Sequence, residues 1–301
     1  MPVLGARTIL FAALAVVGGT FLVTWIRTFR QVPRPSPFEL GLGFVTNFFD
    51  TLGIGSFAPT TSAYKLKQLV PDEKIPGTLN VGHTPPVLAQ AFIYVAIVAV
   101  ETRTLVVLIV SAVLGGWLGV GVVTKWPRRR IQLGMGIGLL IAGALFLLKN
   151  LDEMRGVPMV PGGNALGLHG ATLVFAAVGN FVLGALLTLG IGLYAPCLIM
   201  ISLLGMNPTT AFPIMMGSCA FLMPIASIGF LRAGSYVERP AVGLAVGGLP
   251  AVLIAALIVK SLPLTAVRWL VMIVVVYTAI TMLRSARKSE SQRVGESLPT
   301  L

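Results

Sequence analysis

The sequence predicts an all-α integral membrane protein built from two copies of one unit. Apolar residues form 56% of the 301-residue chain and charged residues only 11%, whereas a soluble domain carries about a quarter charged residues. Near-continuous apolar runs are present and alternating ten-residue strands are absent, which favours helices over a β-barrel. A nine-residue phrase also occurs twice, as TLGIGSFAP from Thr51 to Pro59 and as TLGIGLYAP from Thr188 to Pro196. Its position inside two apolar stretches indicates a duplicated unit.

Seven apolar stretches are each long enough, at about 20 residues, to cross a membrane. We interpret the first as a retained helix rather than a signal peptide, because no small-residue cleavage site follows it before Arg27. Two further segments, 38–66 and 168–205, contain the repeated phrase, whose glycines and proline would break a continuous helix. The predicted spans cover 8–26, 78–100, 104–124, 131–149, 211–231, 240–260 and 265–284.

The spacing of 137 residues between the two phrases also relates the predicted helices of the two halves. The sequence therefore predicts two repeats, each with a broken, re-entrant helical hairpin followed by three transmembrane helices, and one extra transmembrane helix before them. The predicted divisions are 1–37 (N-terminal transmembrane helix and cytoplasmic loop), 38–150 (first repeat), 151–167 (extracytoplasmic loop), 168–284 (second repeat) and 285–301 (polar cytoplasmic tail).

The distribution of basic residues predicts the orientation of these repeats. If each broken segment enters and leaves by one face, and the N-terminus lies outside, 16 of the 22 basic residues fall on the cytoplasmic side. If each broken segment instead crosses the membrane once, only 12 of them fall on that side. The positive-inside rule therefore favours the hairpins. Three full spans per unit then invert the second repeat relative to the first, so that the two broken segments meet from opposite faces near the midplane.

Charge and cysteine content exclude several other classes. The formal net charge of +12 is explained by lysines and arginines in loops, and without a nucleic-acid motif it indicates no nucleic-acid partner. Cys197 and Cys219 lie in apolar segments, which favours packing over a disulfide. Since no catalytic triad and no metal-ligand spacing can be assembled, we expect no enzyme activity, no metal and no cofactor. The outer faces carry no distinctive dimer motif, which leaves a homodimer open.

The broken segments are the predicted binding site for a small anion. Their glycines let the backbone approach a ligand closely, and Pro59 would suit the first turn of a new helix. A helix start offers unpaired N–H groups and a positive dipole end, which favour an anion. Alternatively, the hydroxyl groups only satisfy backbone groups freed by the break. The predicted substrate-binding residues are Asn47, Thr51, Gly53, Gly55, Ser56, Thr60, Thr61, Asn80, His83, Thr188, Gly190, Gly192, Tyr194 and Cys197, and Thr84 and Gln90 could help to line the cavity.

Two titratable residues raise the question of ion coupling. Asp50 is the only acidic residue well inside an apolar segment, where a charge costs several kcal/mol. It is either a coupling site for a proton or another cation, or a carboxylate that caps a helix or bonds a backbone amide across the break. Leu187 occupies the same place in the second copy. His83 either relays protons or simply forms hydrogen bonds.

The segment Asn47–Thr61, NFFDTLGIGSFAPTT, resembles the sulfite exporter TauE/SafE family of membrane permeases. The segment Ile75–Asn80, IPGTLN, and the duplicated LGIG phrase are similar to the same family, and the likeness extends over about 38–284. The resemblance implies transport of small sulfur-containing anions, such as sulfite, sulfoacetate or related organosulfonates, across the bacterial cytoplasmic membrane. We therefore expect a secondary transporter in which one repeat rocks against the other. An anion channel, or a permease for another small organic anion, is the alternative.

Overall fold

The computed structural model describes residues 2–29, 34–118, 163–187 and 193–261, Pro263, and separate positions within 133–151 and 266–284. Throughout this described part the regular structure is helical, and the one extended pairing is an isolated bridge between Ala165 and Met206. The separate positions within 133–151 and 266–284, where two further spans are predicted, are also helical. The predicted all-α class is therefore confirmed for the described residues.

The continuously described parts contain helices that we label α1 to α9. Short 3₁₀ turns at Asp72–Lys74 and Pro208–Thr210 precede two of them. The helices are α1 (Pro2–Thr28), α2 (Pro37–Thr51), α3 (Phe57–Lys67), α4 (Ile75–Ile97), α5 (Thr102–Leu118), α6 (Gly170–Leu187), α7 (Tyr194–Leu203), α8 (Ala211–Ala233) and α9 (Glu238–Ser261).

Four of the described helical stretches are long and apolar enough to cross a membrane: Gly5–Thr28, Gly170–Leu187, Pro208–Ala233 and Glu238–Ile258. Length and composition together thus support a membrane protein. The predicted span 78–100 is the long helix α4, but it is not among these four. Polar residues on α4 lower its hydropathy, and most of their side chains are buried within the protein.

The first broken segment begins and ends as its sequence predicts. Ser36 and Glu39 form a reciprocal capping box at the start of α2, so the first orphan N–H groups of that helix are satisfied. After α2, Gly53 and Gly55 adopt φ angles of +95° and +89°, a region that residues with a side chain rarely occupy. The chain then turns into α3, with Pro59 in its first turn.

The helix α2 packs in parallel against α9, which belongs to the other half of the sequence. Glu39 pairs with Arg239 at the start of both helices, and the Asn47 side chain donates to the Leu244 carbonyl further along. A Cβ atom added to Gly43 would lie 2.5 Å from the carbonyl oxygen of Gly243, so the two backbones are in direct contact. Small residues thus permit a close approach of these helices.

The helices α5 and α6 form a second closely packed pair, in which the first half of the sequence supplies α5 and the second half supplies α6. They also run parallel, with Leu108 facing Asn180 and Ala112 facing Gly184. Under the spacing of 137 residues, α2 corresponds to α6 and α9 corresponds to α5. Each of these two interfaces joins the first half of the chain to the second.

The helices α4 and α8 lie across the centre and run antiparallel to each other. Thr84 contacts Ser227, and the Tyr94 ring stacks on Phe212 at a centroid distance of 5.1 Å. By contrast, α4 runs parallel to α9, since Thr78 accepts a hydrogen bond from the Val237 N–H at the start of both helices. The first helix, α1, packs antiparallel to α4 and hydrogen-bonds to it from the Trp25 indole.

Candidate functional site

A buried polar cluster lies where the end of α2, the start of α3 and the middle of α4 meet. On α4, His83, Gln90 and Tyr94 are spaced by seven and four residues and therefore share one helix face. All three are fully buried. Unpaired polar groups are costly in an apolar interior, so each of these side chains is expected to form hydrogen bonds.

The first part of the cluster centres on His83. Its Nδ1 atom lies 3.0 Å from Asn47 Oδ1, and its Nε2 atom lies 3.1 Å from Thr60 Oγ1. The Thr60 hydroxyl is also 2.7 Å from the Ser56 carbonyl oxygen. The imidazole therefore joins α2 to the beginning of α3. The Phe57 ring packs beside it, with 5.8 Å between the two ring centroids.

The second part centres on Asp50. Gln90 Nε2 donates to Asp50 Oδ2 at 3.0 Å and to Thr51 Oγ1 at 2.9 Å. Ser56 donates to the Asp50 carboxylate from its backbone N–H and its hydroxyl. Asp50 thus accepts a backbone N–H across the break, from the residue that precedes α3. The same carboxylate is fully buried.

The second half of the chain contributes to this part of the cluster through Tyr194. Its hydroxyl lies 3.4 Å from Gln90 Oε1 and also interacts with the Asp50 carboxylate. Cys219 on α8 hydrogen-bonds to the same tyrosine. Tyr194 belongs to the second repeated phrase and is the first residue of α7. The two broken segments therefore meet at Asp50, Gln90 and Tyr194.

The glycine turn after α2 packs directly against the second half. A Cβ atom on Gly53 would lie 3.3 Å from Leu198 of α7 and 3.5 Å from Met215 of α8. The turn is buried at Gly53, whereas Gly55 has no neighbour within 4 Å of such an atom. The positive φ angle alone accounts for the glycine at position 55.

The hydroxyl groups near the start of α3, where the sequence predicts an anion-binding site, lie close to backbone carbonyl oxygens. Thr60 and Ser62 lie within hydrogen-bonding distance of carbonyl oxygens one turn back, at Ser56 and Ala58. The positive end of α3 faces the Asp50 carboxylate. An incoming anion would therefore meet an acidic group at this helix start.

The other predicted site residues are distributed as follows. Asn80 donates to the Pro76 carbonyl on its own helix and stands apart from the cluster. Thr61 is half-buried on α3, and Cys197 is fully buried in the apolar core. Both cysteines are free thiols. Thr188, Gly190 and Gly192 lie outside the described residues.

Tyr94 and Asn180 are among the buried polar residues that the sequence analysis did not identify. Tyr94 donates to the Thr51 carbonyl at 3.0 Å, and its position four residues after Gln90 could have placed it on the same face. Asn180 on α6 donates to the Leu108 carbonyl at 2.7 Å, much as Asn47 on α2 donates to Leu244. An asparagine inside an otherwise apolar helix was the available signal.

Comparisons with protein-family models, with curated proteins and with solved structures give no match for this chain.

Proposed function

We propose that this protein is a secondary transporter that moves small sulfur-containing anions across the bacterial cytoplasmic membrane by alternating access. The observation that carries the proposal is the meeting of both broken segments at the buried cluster of Asp50, Gln90 and Tyr194. Interrupted helices that place polar groups in the interior of an apolar bundle are typical of transporter binding sites. A scaffold protein would have no use for two such costly breaks.

Helix directions support the inverted repeat that this mechanism needs. Under the spacing of 137 residues, α4 corresponds to α8, and these two helices run antiparallel. Equivalent helices of two parallel repeats would run in the same direction. The same spacing relates α2 to α6 and α9 to α5, so it also relates the interface of α2 with α9 to the interface of α6 with α5. An approximate two-fold axis in the membrane plane accounts for all of these relations.

The same directions support a re-entrant hairpin in the first repeat. Both α2 and α4 run parallel to α9, so the chain between them returns to the side from which α2 started. With 15 and 11 residues, α2 and α3 are about 22 and 16 Å long, each shorter than the hydrocarbon core of about 30 Å. We propose that the N-terminus lies outside and the C-terminus in the cytoplasm, as the loop charges favour.

The chemical class of the substrate rests on the resemblance of the segment Asn47–Thr61 to sulfite exporters. The geometry adds a requirement: an anion that enters the cluster meets Asp50, and the two negative charges repel in a medium of low dielectric constant. Binding is favourable when Asp50 is protonated. The proposed transporter therefore takes up its anion together with a proton.

Uptake of labelled sulfite, sulfoacetate and sulfate into proteoliposomes, with and without an imposed proton gradient, tests the proposal. We expect saturable uptake of a sulfur oxyanion that rises with an inward proton gradient and shows counterflow. Tyr194→Phe, which deletes one hydroxyl from the cluster, should lower uptake severalfold. Tyr236→Phe is the matched control, because Tyr236 packs against Phe29 away from the cluster.

Three results would contradict the proposal. Absence of uptake for all three anions would exclude the proposed substrates. Rapid flux without counterflow would indicate a channel instead. Equal activity of the two phenylalanine variants would remove the polar cluster from the transport pathway.

A further inference from the structure

The hydrogen bonds of Asn47 determine which nitrogen of His83 carries a hydrogen. Asn47 Nδ2 donates to the carbonyl oxygens of Gly43 at 2.7 Å and Leu244 at 3.3 Å. Its Oδ1 atom therefore faces His83 Nδ1, and because an amide oxygen only accepts, Nδ1 must be protonated. The opposite amide orientation would press Oδ1 against two carbonyl oxygens, which have no hydrogen to donate.

The Thr60 hydroxyl has one hydrogen and two acceptors within reach. One acceptor is the Ser56 carbonyl oxygen at 2.7 Å, and the other is His83 Nε2 at 3.1 Å. When His83 is neutral, Nε2 is bare and Thr60 donates to it. When Nε2 is protonated, it donates to Thr60 Oγ1, and the hydroxyl hydrogen turns to Ser56. The Ser56 carbonyl keeps the Thr60 N–H at 3.1 Å in both cases, so neither state leaves a buried group unpaired.

We propose that His83 is a proton-binding site and that the Thr60 hydroxyl reorients each time a proton binds or leaves. The proton bonds to the lone pair of Nε2, and the Thr60 hydrogen moves from Nε2 to the Ser56 oxygen. Release reverses both movements, with the proton returning to water. No heavy atom of the cluster has to move, so the site accepts and returns a proton at little structural cost.

The proton site is linked to the second acidic group of the cluster. Ser56, whose carbonyl faces Thr60, donates from its N–H and its hydroxyl to Asp50. His83 and Asp50 therefore belong to one hydrogen-bonded chain that passes through Thr60 and Ser56. Further titratable or charged residues of the helices packed against α4 are Arg7, Arg27, Glu39, Tyr64, Lys65, Lys67, Cys219, Arg232, Glu238, Arg239 and Lys260, with Asp72, Glu73 and Lys74 in the turn before it and Tyr94 on α4 itself.

The charge of the linked pair determines when an anion can enter, and this step rests on the proposed function. One proton shared between His83 and Asp50 leaves the pair neutral overall. With both groups protonated the pair carries one positive charge, which can balance a monoanion. His83 is thus a second proton-binding residue of the coupling site.

Histidine-labelled protein in nanodiscs tests proton binding without any transported substrate. His169 is exposed and outside the cluster, so His169→Gln leaves His83 as the one histidine of the sequence. Nitrogen NMR over a pH series that keeps the protein folded should show neutral His83 with the hydrogen on Nδ1. At low pH a second hydrogen should appear on Nε2. A neutral form with the hydrogen on Nε2, or the absence of any second protonation, would overturn the inference.

Substitutions at Thr60 test the reorientation. Thr60→Val deprives protonated Nε2 of its acceptor, so the titration midpoint of His83 should fall by about one to two pH units, because an unpaired buried charge costs more than an unpaired neutral nitrogen. Thr60→Ser should restore the midpoint. Thr46→Val is the control, since Thr46 bonds one turn back to Leu42 and makes no bond to His83. Equal midpoints for Thr60→Val and Thr46→Val would count against the proposal.

Transport measurements distinguish this inference from the proposed function. If His83 titrates as described and no anion is transported, the proton site stands and the transporter proposal fails. If anions are transported and His83→Gln retains full proton coupling, the transporter proposal stands and the coupling role of His83 is overturned.

Discussion

The close packing of α2 on α9 makes Gly43→Ala the sharpest test of the fold. A Cβ atom at this position would lie 2.5 Å from the Gly243 carbonyl oxygen and 2.8 Å from Leu244 Cα. Ordinary contact begins near 3.4 Å, so the helices would have to separate by about 0.9 Å. Both obstructing atoms belong to the backbone, and they cannot yield as a flexible side chain would.

We expect Gly43→Ala to reduce the free energy of unfolding by about 2–4 kcal/mol. Overpacking of a well-filled interface costs about 1–3 kcal/mol. Separation would also lengthen the 3.3 Å hydrogen bond from Asn47 to Leu244, a loss of about 0.5–1.5 kcal/mol. Equilibrium unfolding in mixed detergent micelles measures the total.

Gly41→Ala is the matched control on the same helix. A Cβ atom on Gly41 has no neighbour within 4 Å, so this variant should be neutral or more stable by up to about 1 kcal/mol. If Gly43→Ala is as stable as Gly41→Ala, the contact between α2 and α9 is wrong and the equivalence of the two interfaces loses its basis.

Three other substitutions test the broken segment by equilibrium unfolding. Gly55→Ala should lower the free energy of unfolding by about 1–3 kcal/mol, because a φ angle of +89° strains any residue with a side chain. Gly229→Ala, whose Cβ atom also meets no neighbour, should leave the stability unchanged. Equal stabilities of the two variants would exclude the strained turn. Gln90→Leu should cost about 1–3 kcal/mol because Asp50 loses a buried donor, and an unchanged stability would contradict that hydrogen bond. Ser36→Ala should cost about 1 kcal/mol by removing the capping box, and wild-type stability would show that the start of α2 is held in another way.

Local signals in the sequence were sufficient to predict the helices and the first break. The glycine pair and Pro59 predicted where one helix ends and another begins, because φ preference and the missing proline N–H act within a few residues. The predicted spans 211–231 and 240–260 begin and end within two residues of α8 and α9, whereas the predicted span 8–26 begins six residues later than α1. These features depend on the local chain alone.

Contacts between distant residues could not be predicted in the same way. Gly243 and Gly247 on α9 lie against Glu39 and Leu40 of α2, and nothing nearby in the sequence identified α2 as their partner. The hydrogen bond of His83 to Asn47 joins residues 36 positions apart. Such a pair depends on the relative placement of two helices, which the packing of the entire bundle determines.

The observed packing also changes which parts of the protein are expected to move as rigid units. The sequence predicted that one repeat rocks against the other as contiguous segments. However, α2 is in backbone contact with α9, and α6 is in backbone contact with α5. Such contacts cannot slide without steric clash. We therefore expect one unit of α2, α4 and α9 to rotate against a second unit of α5, α6 and α8, with the interface between α4 and α8 as the moving surface.

Two cross-links that both join the first half of the sequence to the second distinguish these modes of motion. In a background with Cys197→Ala and Cys219→Ala, Thr84→Cys with Ser227→Cys links α4 to α8, where the native hydroxyl oxygens lie 2.9 Å apart. Glu39→Cys with Arg239→Cys, bridged by a short bis-maleimide, links α2 to α9. If α2, α4 and α9 rotate as one unit against α5, α6 and α8, the cross-link between α4 and α8 should block transport. The cross-link between α2 and α9 should permit it, because both of its ends lie in the same unit. Motion of the contiguous repeats requires that both block it, because each cross-link then spans the moving interface.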